Sequence, residues 1–345
     1  MTTASPRAGP KNASDASSVA RGEPLLAVSG LCVEFPTRHR TLRAVHGISF
    51  DIGPGEILGV VGESGAGKSV TGAAVIGLID PPGRIADGEI RLAGRRIDNL
   101  PYDAMRRIRG REIGAIFQDP LTSLNPLYTI GRQLVETIAT HLPLGPTAAR
   151  ARAIELLEEV GIPAAARRFD HYPHQFSGGM RQRVVIALAL SGGPRLVIAD
   201  EPTTALDVSI QAQIIELLKR LTREHGTAVM LITHDMGVIA EAADRVAVMY
   251  AGRIVEIGPV ADVIHRPAHP YTAGLMGSIP SIVEERDRLA QIDGVMPRLD
   301  AVPPGCAFHP RCKRAIARCG DERPELLPVG ATRAACWVAG SRSNG

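Results

Sequence analysis

The sequence predicts an α/β protein with a mostly parallel sheet covered on both faces by helices. Apolar runs of about five residues alternate with stretches of helical periodicity, the pattern of repeated strand–helix–strand units. Ala, Val, Ile and Leu are plentiful while aromatic residues make up 3%, as expected where parallel strands are buried on both sides. One strand, Ile57 to Val61, runs into Gly62-Glu63-Ser64-Gly65-Ala66-Gly67-Lys68-Ser69, which fits the phosphate-binding pattern GxxxxGK(S/T). A helix over Val70 to Leu78 is expected to leave it. At 345 residues the chain can bury a large core, and its length suggests about two domains.

Residues 1–24 are rich in Ala, Ser, Thr, Gly and Pro and have no central apolar run, so a disordered tail is expected there and not a signal peptide. From Leu25 to Phe50 the pattern is β-like. Leu26, Val28 and Leu31 precede a polar turn at Thr37 to Arg40, and Ile48, Phe50 and Ile52 then alternate up to Gly53-Pro54-Gly55. Beyond the phosphate loop, Gly88 to Leu92 reads as an edge strand and Ile113 to Gln118 as a buried one. Ile130 to Val160 is helical, with Ile154, Leu157 and Val160 on one face, Glu155, Glu158 and Glu159 outward, and Gly161-Ile162-Pro163 as the stop. A short helix over Val184 to Leu190 follows a glycine pair. Two apolar strands, Arg195 to Ala199 and Ala228 to Thr233, enclose the helix Ile210 to His225.

The chemistry gathers at strand ends. Glycines let the phosphate loop curl until successive N–H groups point at phosphate oxygens, and the helix N-terminus adds partial positive charge. Lys68 can reach the β- and γ-phosphates and the Ser69 hydroxyl can ligate Mg²⁺, so the passage implies a bound nucleoside triphosphate. Ligands of such sheets sit beyond the carboxyl ends of the strands, and Gln118, Asp200 and His234 stand at or just after such ends. Asp200 can hold the Mg²⁺ shell, and Glu201 beside it can polarise an attacking water. The plainer alternative is that this pair begins a loop and caps the next helix. Gln118 offers amide groups to Mg²⁺ or the water, and His234 a donor to the γ-phosphate. In Phe176-Ser177-Gly178-Gly179-Met180-Arg181-Gln182-Arg183, Ser177, Gly178 and Gly179 expose N–H groups at a helix N-terminus, a second anion-binding device. One site does not need two, so the second is expected to serve the nucleotide of another subunit.

A formal net charge of +3 makes no case for a nucleic-acid partner. The clusters Arg106, Arg107, Arg109, Arg111 and Arg311, Lys313, Arg314, Arg318 read as solvated helix faces. No stretch approaches the ~18 apolar residues needed to span a bilayer, so a cytosolic chain is expected, its membrane role supplied by partners. Cys32 is expected to be buried in a strand. Cys306, Cys312, Cys319 and Cys336 lie in a Pro- and Gly-rich tail, where stable disulfides are not expected in a reducing cytosol. Their spacing lacks the close CxxC pairs of most structural zinc sites, and four thiolates also suit an iron–sulfur cluster. Spacing alone leaves zinc, iron–sulfur and free thiols open.

With these motifs in place, the sequence resembles the ATP-binding subunits of ABC transporters over about Leu25 to Pro270. The Walker A motif is Gly62 to Ser69, the Q-loop Gln118, the signature Phe176 to Met180, Walker B with its glutamate Leu196 to Glu201, the D-loop Ala205-Leu206-Asp207 and the switch histidine His234, all in family order. The resemblance implies a P-loop NTPase (RecA-like) parallel-sheet core with an antiparallel β subdomain, an inserted α-helical subdomain at about 119–190, and a small cysteine-containing extension. The nucleotide-binding domain would cover 25–270 and the extension 271–345. It implies ATP and Mg²⁺ as cofactors, with Glu201, His234 and Gln118 catalytic and Ser69, Gln118 and Asp200 around the metal. Nucleotide contacts would come from Phe35 stacked on adenine, residues 62–69, Val70, Asp200 and Asp207, and across a head-to-tail dimer from Ser177, Gly178 and Gly179. Phe176 and Met180 stand where leucine and glutamine are commoner, and Val70 lacks the hydroxyl that a threonine there would offer the α-phosphate.

Finer resemblance points to importers of oligopeptides, dipeptides and nickel. It is carried by Phe117-Gln118-Asp119-Pro120-Leu121-Thr122-Ser123-Leu124-Asn125-Pro126, Tyr172-Pro173-His174-Gln175 and His269-Pro270-Tyr271-Thr272. Gly178 to Arg183 with Thr203 to Asp207 is most similar to the D-type ATPase subunit of dipeptide permeases. This implies a [4Fe–4S] cluster on Cys306, Cys312, Cys319 and Cys336, with a structural role. It also implies a second ATPase subunit, two transmembrane permeases, an extracytoplasmic substrate-binding protein and a place on the cytoplasmic face of the membrane. The rival reading is a soluble ABC ATPase acting on nucleic acid, but the chain has one cassette and no sustained heptads. A binding module with a dead site is the other rival, and every expected catalytic position is filled.

Overall fold

The computed structural model describes residues 22–204, 206–278 and 291–339. Residues 1–21 of the expected tail and Ala205 of the D-loop lie outside them. The chain begins with an antiparallel pair, β1 (Leu26–Pro36) and β2 (Thr41–Ile52), then passes through β3 (Ile57–Val61) and the phosphate loop into α1 (Lys68–Val75). The helix starts two residues before the expected Val70, because Gly67 in the left-handed region serves as its N-cap, and it stops short of Gly77. Next come β4 (Arg84–Leu92), the two-residue β5 (Arg95–Arg96), α2 (Tyr102–Ile108) and β6 (Ile113–Ile116). Gly88 to Leu92 is therefore not an edge: β4 lies between β1 and β5.

A helical layer follows: α3 (Pro120–Ser123), α4 (Ile130–His141), α5 (Pro146–Glu159), α6 (Ala165–Arg168) and α7 (Gly178–Leu190). The helical stretch expected from Ile130 to Val160 is two helices, not one. Pro143 and the N1 proline Pro146 interrupt it, since neither can supply the N–H that a continuous helix needs. On α5, Glu155 and Glu158 face solvent as expected, while Glu159 is half-buried and pairs with His225. The chain then runs through β7 (Leu196–Asp200), α8 (Val208–His225), β8 (Ala228–Thr233), α9 (Met236–Ala242), β9 (Arg245–Tyr250), β10 (Arg253–Pro259), α10 (Val260–His265) and α11 (Pro270–Gly277). After residue 291 it adds α12 (Arg318–Asp321), β11 (Leu327–Val329) and β12 (Thr332–Ala334).

Among the described residues these strands make two sheets. One is antiparallel, ordered β2-β1-β4-β5; the other runs β11-β12-β10-β9-β3-β8-β7-β6, parallel from β9 to β6 and antiparallel beyond. The central strands separate two cores by simple alternation. Val197, Val229, Leu231, Val246 and Val248 belong to the core under α7, α8 and α9, while Ile198, Met230, Ile232, Ala247 and Met249 face α1 and the antiparallel sheet. Strands buried on both faces must be apolar at every position, which is why they read as continuous runs. With β8 between β3 and β7, the loops after these strands open at the same carboxyl edge of the sheet.

Candidate functional site

The phosphate loop is shaped by glycines that no other residue could replace. Gly62 has φ 152°, and a Cβ there would meet the Met249 carbonyl oxygen at 2.2 Å. Gly67 has φ 99°, and its Cβ would meet the Ala44 carbonyl at 2.8 Å. The loop closes on its own lysine: Lys68 Nζ donates to the Gly62 and Glu63 carbonyls at 2.8 and 3.1 Å. Lys68 is 6% exposed, and burial pulls its pKa below the usual lysine value, against the opposing pull of Glu201, Asp200 and Glu63. Ser64, Gly65 and Ser69 face outward, Ala66 is buried, and Val70 packs partly into the core.

Two strands away, Asp200 Oδ1 accepts a 3.0 Å hydrogen bond from Ser69 Oγ. Burial pushes the Asp200 carboxyl up, and the neighbouring Glu201 adds to the shift. A hydroxyl and a carboxylate facing each other across the sheet edge are a hard oxygen donor pair, so these residues fit Mg²⁺. Glu201 sits at the hub. Its Oε2 accepts from Thr204 Oγ1 at 2.8 Å and from Gln118 Nε2 at 3.3 Å, and its Oε1 lies 3.1 Å from His234 Nδ1. Burial would raise its pKa, but the hydrogen bonds from Thr204 and His234, with the charges of His234 and Lys68, outweigh that and hold it below the usual carboxylate value. Glu201 is thus an anion, 16% exposed, beside a histidine that is 62% exposed.

The structure brings together Lys68, Ser69, Gln118, Asp200, Glu201 and His234. It does not bring the signature or the D-loop aspartate to them. Ser177 caps α7 by accepting from the Met180 N–H at 3.4 Å, and Ser177 and Gly178 are exposed. Asp207 is exposed at the start of α8. Among the described residues, no hydrogen bond or ion pair links Ser177, Gly178, Gly179 or Asp207 to the phosphate loop. Phe35 is half-buried, its ring lying over Gly83 beside Ile79.

Sequence reasoning missed Thr204, Tyr250, Tyr271 and Arg311. The last is the clearest correction: Arg311 is no solvated helix face but a buried side chain paired with Glu63 of the phosphate loop. Pro310 immediately before it was the available sign against a long helix there. In the same cluster Arg318 stacks over Trp337 and pairs with Glu322. Cys32 lies on β1 but is only partly buried.

No disulfide joins any of the five cysteines. Cys306, Cys312, Cys319 and Cys336 together line one void of about 10 Å³, closed by Phe308 and Trp337. Burial, reinforced by the other thiols, pushes the Cys306 thiol up to about 11, and it also raises Cys312 and Cys336. Among the described residues no three His, Cys, Asp or Glu side chains are arranged around a single ion. Four cysteine thiols are the donor type that both structural zinc and iron–sulfur clusters use, and the arrangement of these residues does not choose between them.

Residues 45–204 match the ABC transporter family and residues 255–319 match the oligopeptide/dipeptide transporter C-terminal region. A putative peptide import ATP-binding protein of Brucella abortus is 49% identical over 313 residues, covering 91% of this chain and 94% of that protein. The dipeptide transport ATP-binding proteins DppD of Bacillus subtilis and Escherichia coli are 47% and 48% identical, covering 93% and 88% of this chain and 96% and 92% of theirs. Among solved structures, the dimeric post-hydrolysis state of the ATP-binding cassette MJ0796 bound to ADP and Pi superposes with a TM-score of 0.62 at 28% identity, covering 68% of this chain and 98% of that one.

Proposed function

The chain belongs to the oligopeptide/dipeptide branch of the ABC transporter ATPases, and from that premise we propose that it is the ATP-hydrolysing subunit of a peptide importer. The observation that carries this reading is the convergence of Lys68, Ser69, Asp200, Glu201, Gln118 and His234 on one sheet edge. Lys68 holds its ammonium over the loop, ready to exchange two carbonyl oxygens for phosphate oxygens. Ser69 and Asp200 would hold Mg²⁺, which supplies charge neutralisation at the phosphates. Glu201, ionised and oriented by Thr204, is the base that orients water and takes its proton; His234 Nδ1 donates to it and offers a contact to the γ-phosphate.

Ser177 and Gly178, exposed, and the partly buried Gly179, all untied to the chain's own loop, are taken to complete the nucleotide site of a second ATPase subunit, with Asp207 beside them. Phe35 is the proposed adenine platform. The domains are read as 25–270 for the nucleotide-binding part, with its helical insertion at about 119–190, and 271–345 for the extension. Phe117, next to Gln118 in the chain, and Leu127 are 50% and 78% exposed, apolar side chains that suit a surface meeting membrane permeases. No helix among the described residues is long and apolar enough to cross a membrane. Kinship with importer ATPases is what supports assigning the subunit to the cytoplasmic face, with two permeases and an extracytoplasmic binding protein as partners. Cys306, Cys312, Cys319 and Cys336 are the proposed ligands of a [4Fe–4S] cluster; what supports this is the donor set alone, four thiols that line one place in the extension. No observation favours a nucleic-acid partner.

The test is turnover by the assembled importer. Glu201→Gln should retain ATP and hydrolyse it on the order of 10²–10⁴-fold more slowly, as when a general base is lost. Lys68→Ala should lose ATP binding. Near-normal hydrolysis by Glu201→Gln would remove that residue from its role.

A further inference from the structure

Glu63, the second residue of the phosphate loop, is fixed at three points. Its carboxylate oxygens each lie 3.0 Å from Arg311 Nη1, which donates to them. Its N–H donates to the Tyr271 hydroxyl at 2.9 Å, and its carbonyl accepts from Lys68 at 3.1 Å. Arg311 comes from the C-terminal extension, one residue before Cys312, and its side chain is 8% exposed. The rest of its guanidinium is engaged as well. Nε donates to the Asp293 carbonyl at 2.8 Å, Nη2 to the Gly294 carbonyl at 3.2 Å, and Nη1 also reaches the Tyr250 hydroxyl at 3.3 Å. Tyr250 closes β9, the neighbour of β3, and its ring meets those of Tyr271 and Phe308 at centroid distances of 4.7 and 5.3 Å. Phe308 in turn lines the void of the four cysteines.

Two physical consequences follow from this geometry. A carboxylate next to a triphosphate repels it, and the buried guanidinium cancels that charge. A loop held from outside before ligand arrives loses less conformational freedom on binding. When phosphate oxygens take over the Lys68 ammonium, Arg311 and Tyr271 are the groups left holding Glu63. We propose that Arg311 is a positioning residue of the phosphate loop, through which the four-cysteine extension sets nucleotide affinity. The proposal rests on the ATP-site reading above.

The experiment measures binding of a non-hydrolysable ATP analogue to the full-length chain, and KM and kcat in the assembled importer. Arg311→Ala should weaken binding about tenfold and raise KM while kcat changes less than about twofold. Arg311→Lys, which keeps the charge without the fork, should fall between. Adding Glu63→Gln to Arg311→Ala should recover most of the loss, because the uncompensated carboxylate is then gone. A folded Arg311→Ala chain with wild-type affinity overturns the proposal. So does a fall in kcat at unchanged KM, or a double variant as weak as the single. Should Arg311→Ala fail to fold, unchanged affinity in Arg311→Lys overturns it. Retained nucleotide binding by Lys68→Ala would instead sink the reading of the site itself, which keeps the two failures apart.

Discussion

At Glu201 the backbone stands in the left-handed region, φ 48°, where a residue with a side chain is strained by about 1–3 kcal/mol. The strain persists because the chain around it is held: Glu201 N–H donates to the Ile232 carbonyl at 2.8 Å, and Thr204 fastens the side chain. That conformation turns the carboxylate away from the strand axis toward Gln118 and His234. A second residue carries a stability consequence. His269 is buried, its Nδ1 accepts from the Tyr271 N–H at 3.0 Å, and burial lowers its pKa from 6.5 to about 3. A histidine that stays neutral when folded contributes its full stability above pH 6.5, and that contribution drains as pH falls from 6.5 toward 3, by up to ~1.4 kcal/mol per unit. Glu256, which accepts from the His269 N–H and whose carboxyl burial pushes up, works in the opposite sense, gaining as pH falls toward the ordinary carboxylate range. Thermal melting should therefore occur at lower temperature at pH 5.5 than at pH 7.5, and His269→Asn, which can still cap the N–H, should shrink the difference. Equal pH dependence in the two chains would rule out His269 as its source.

Among the elements, the strands were the most legible. The runs Ile57 to Val61 and Ala228 to Thr233 end where β3 and β8 end, because a strand buried on both faces reads as a nearly continuous apolar run, followed here by the loop residues Gly62 and His234. Helix bounds were less legible, since periodicity marks a face and not a cap. The helix expected from Val184 begins at Gly178, its polar first turn hidden from any apolar pattern but fixed by the Ser177 cap. α7 also packs against β6 at close range. A Cβ on Gly114 would meet the Ala189 carbonyl at 2.4 Å, a backbone atom that cannot swing aside. Gly114→Ala should push α7 off the sheet, destabilise the chain by about 1–3 kcal/mol in denaturant melts, and displace the signature that α7 begins with. An unchanged unfolding midpoint would show that the layer yields freely.

Over the whole molecule, the extension is not an appendage. β12 pairs with β10, so the larger sheet continues through residues far along the chain, and Arg311 reaches back to the phosphate loop. The four cysteines gather in that extension, and protein purified anaerobically should be brown with absorbance near ~400 nm. Colourless protein carrying stoichiometric zinc would refute the iron assignment. The sequence by itself determined the phosphate loop, the strand-end carboxylates and histidine, and the α/β architecture, because each is written within a few residues by glycine placement, apolar period or strand length. Only the tertiary structure decided that Asp200 meets Ser69 and that Arg311 leaves the surface for Glu63, 248 residues away. Those pairings depend on which strands become neighbours and which segments are drawn into the core, and local patterns do not carry that information.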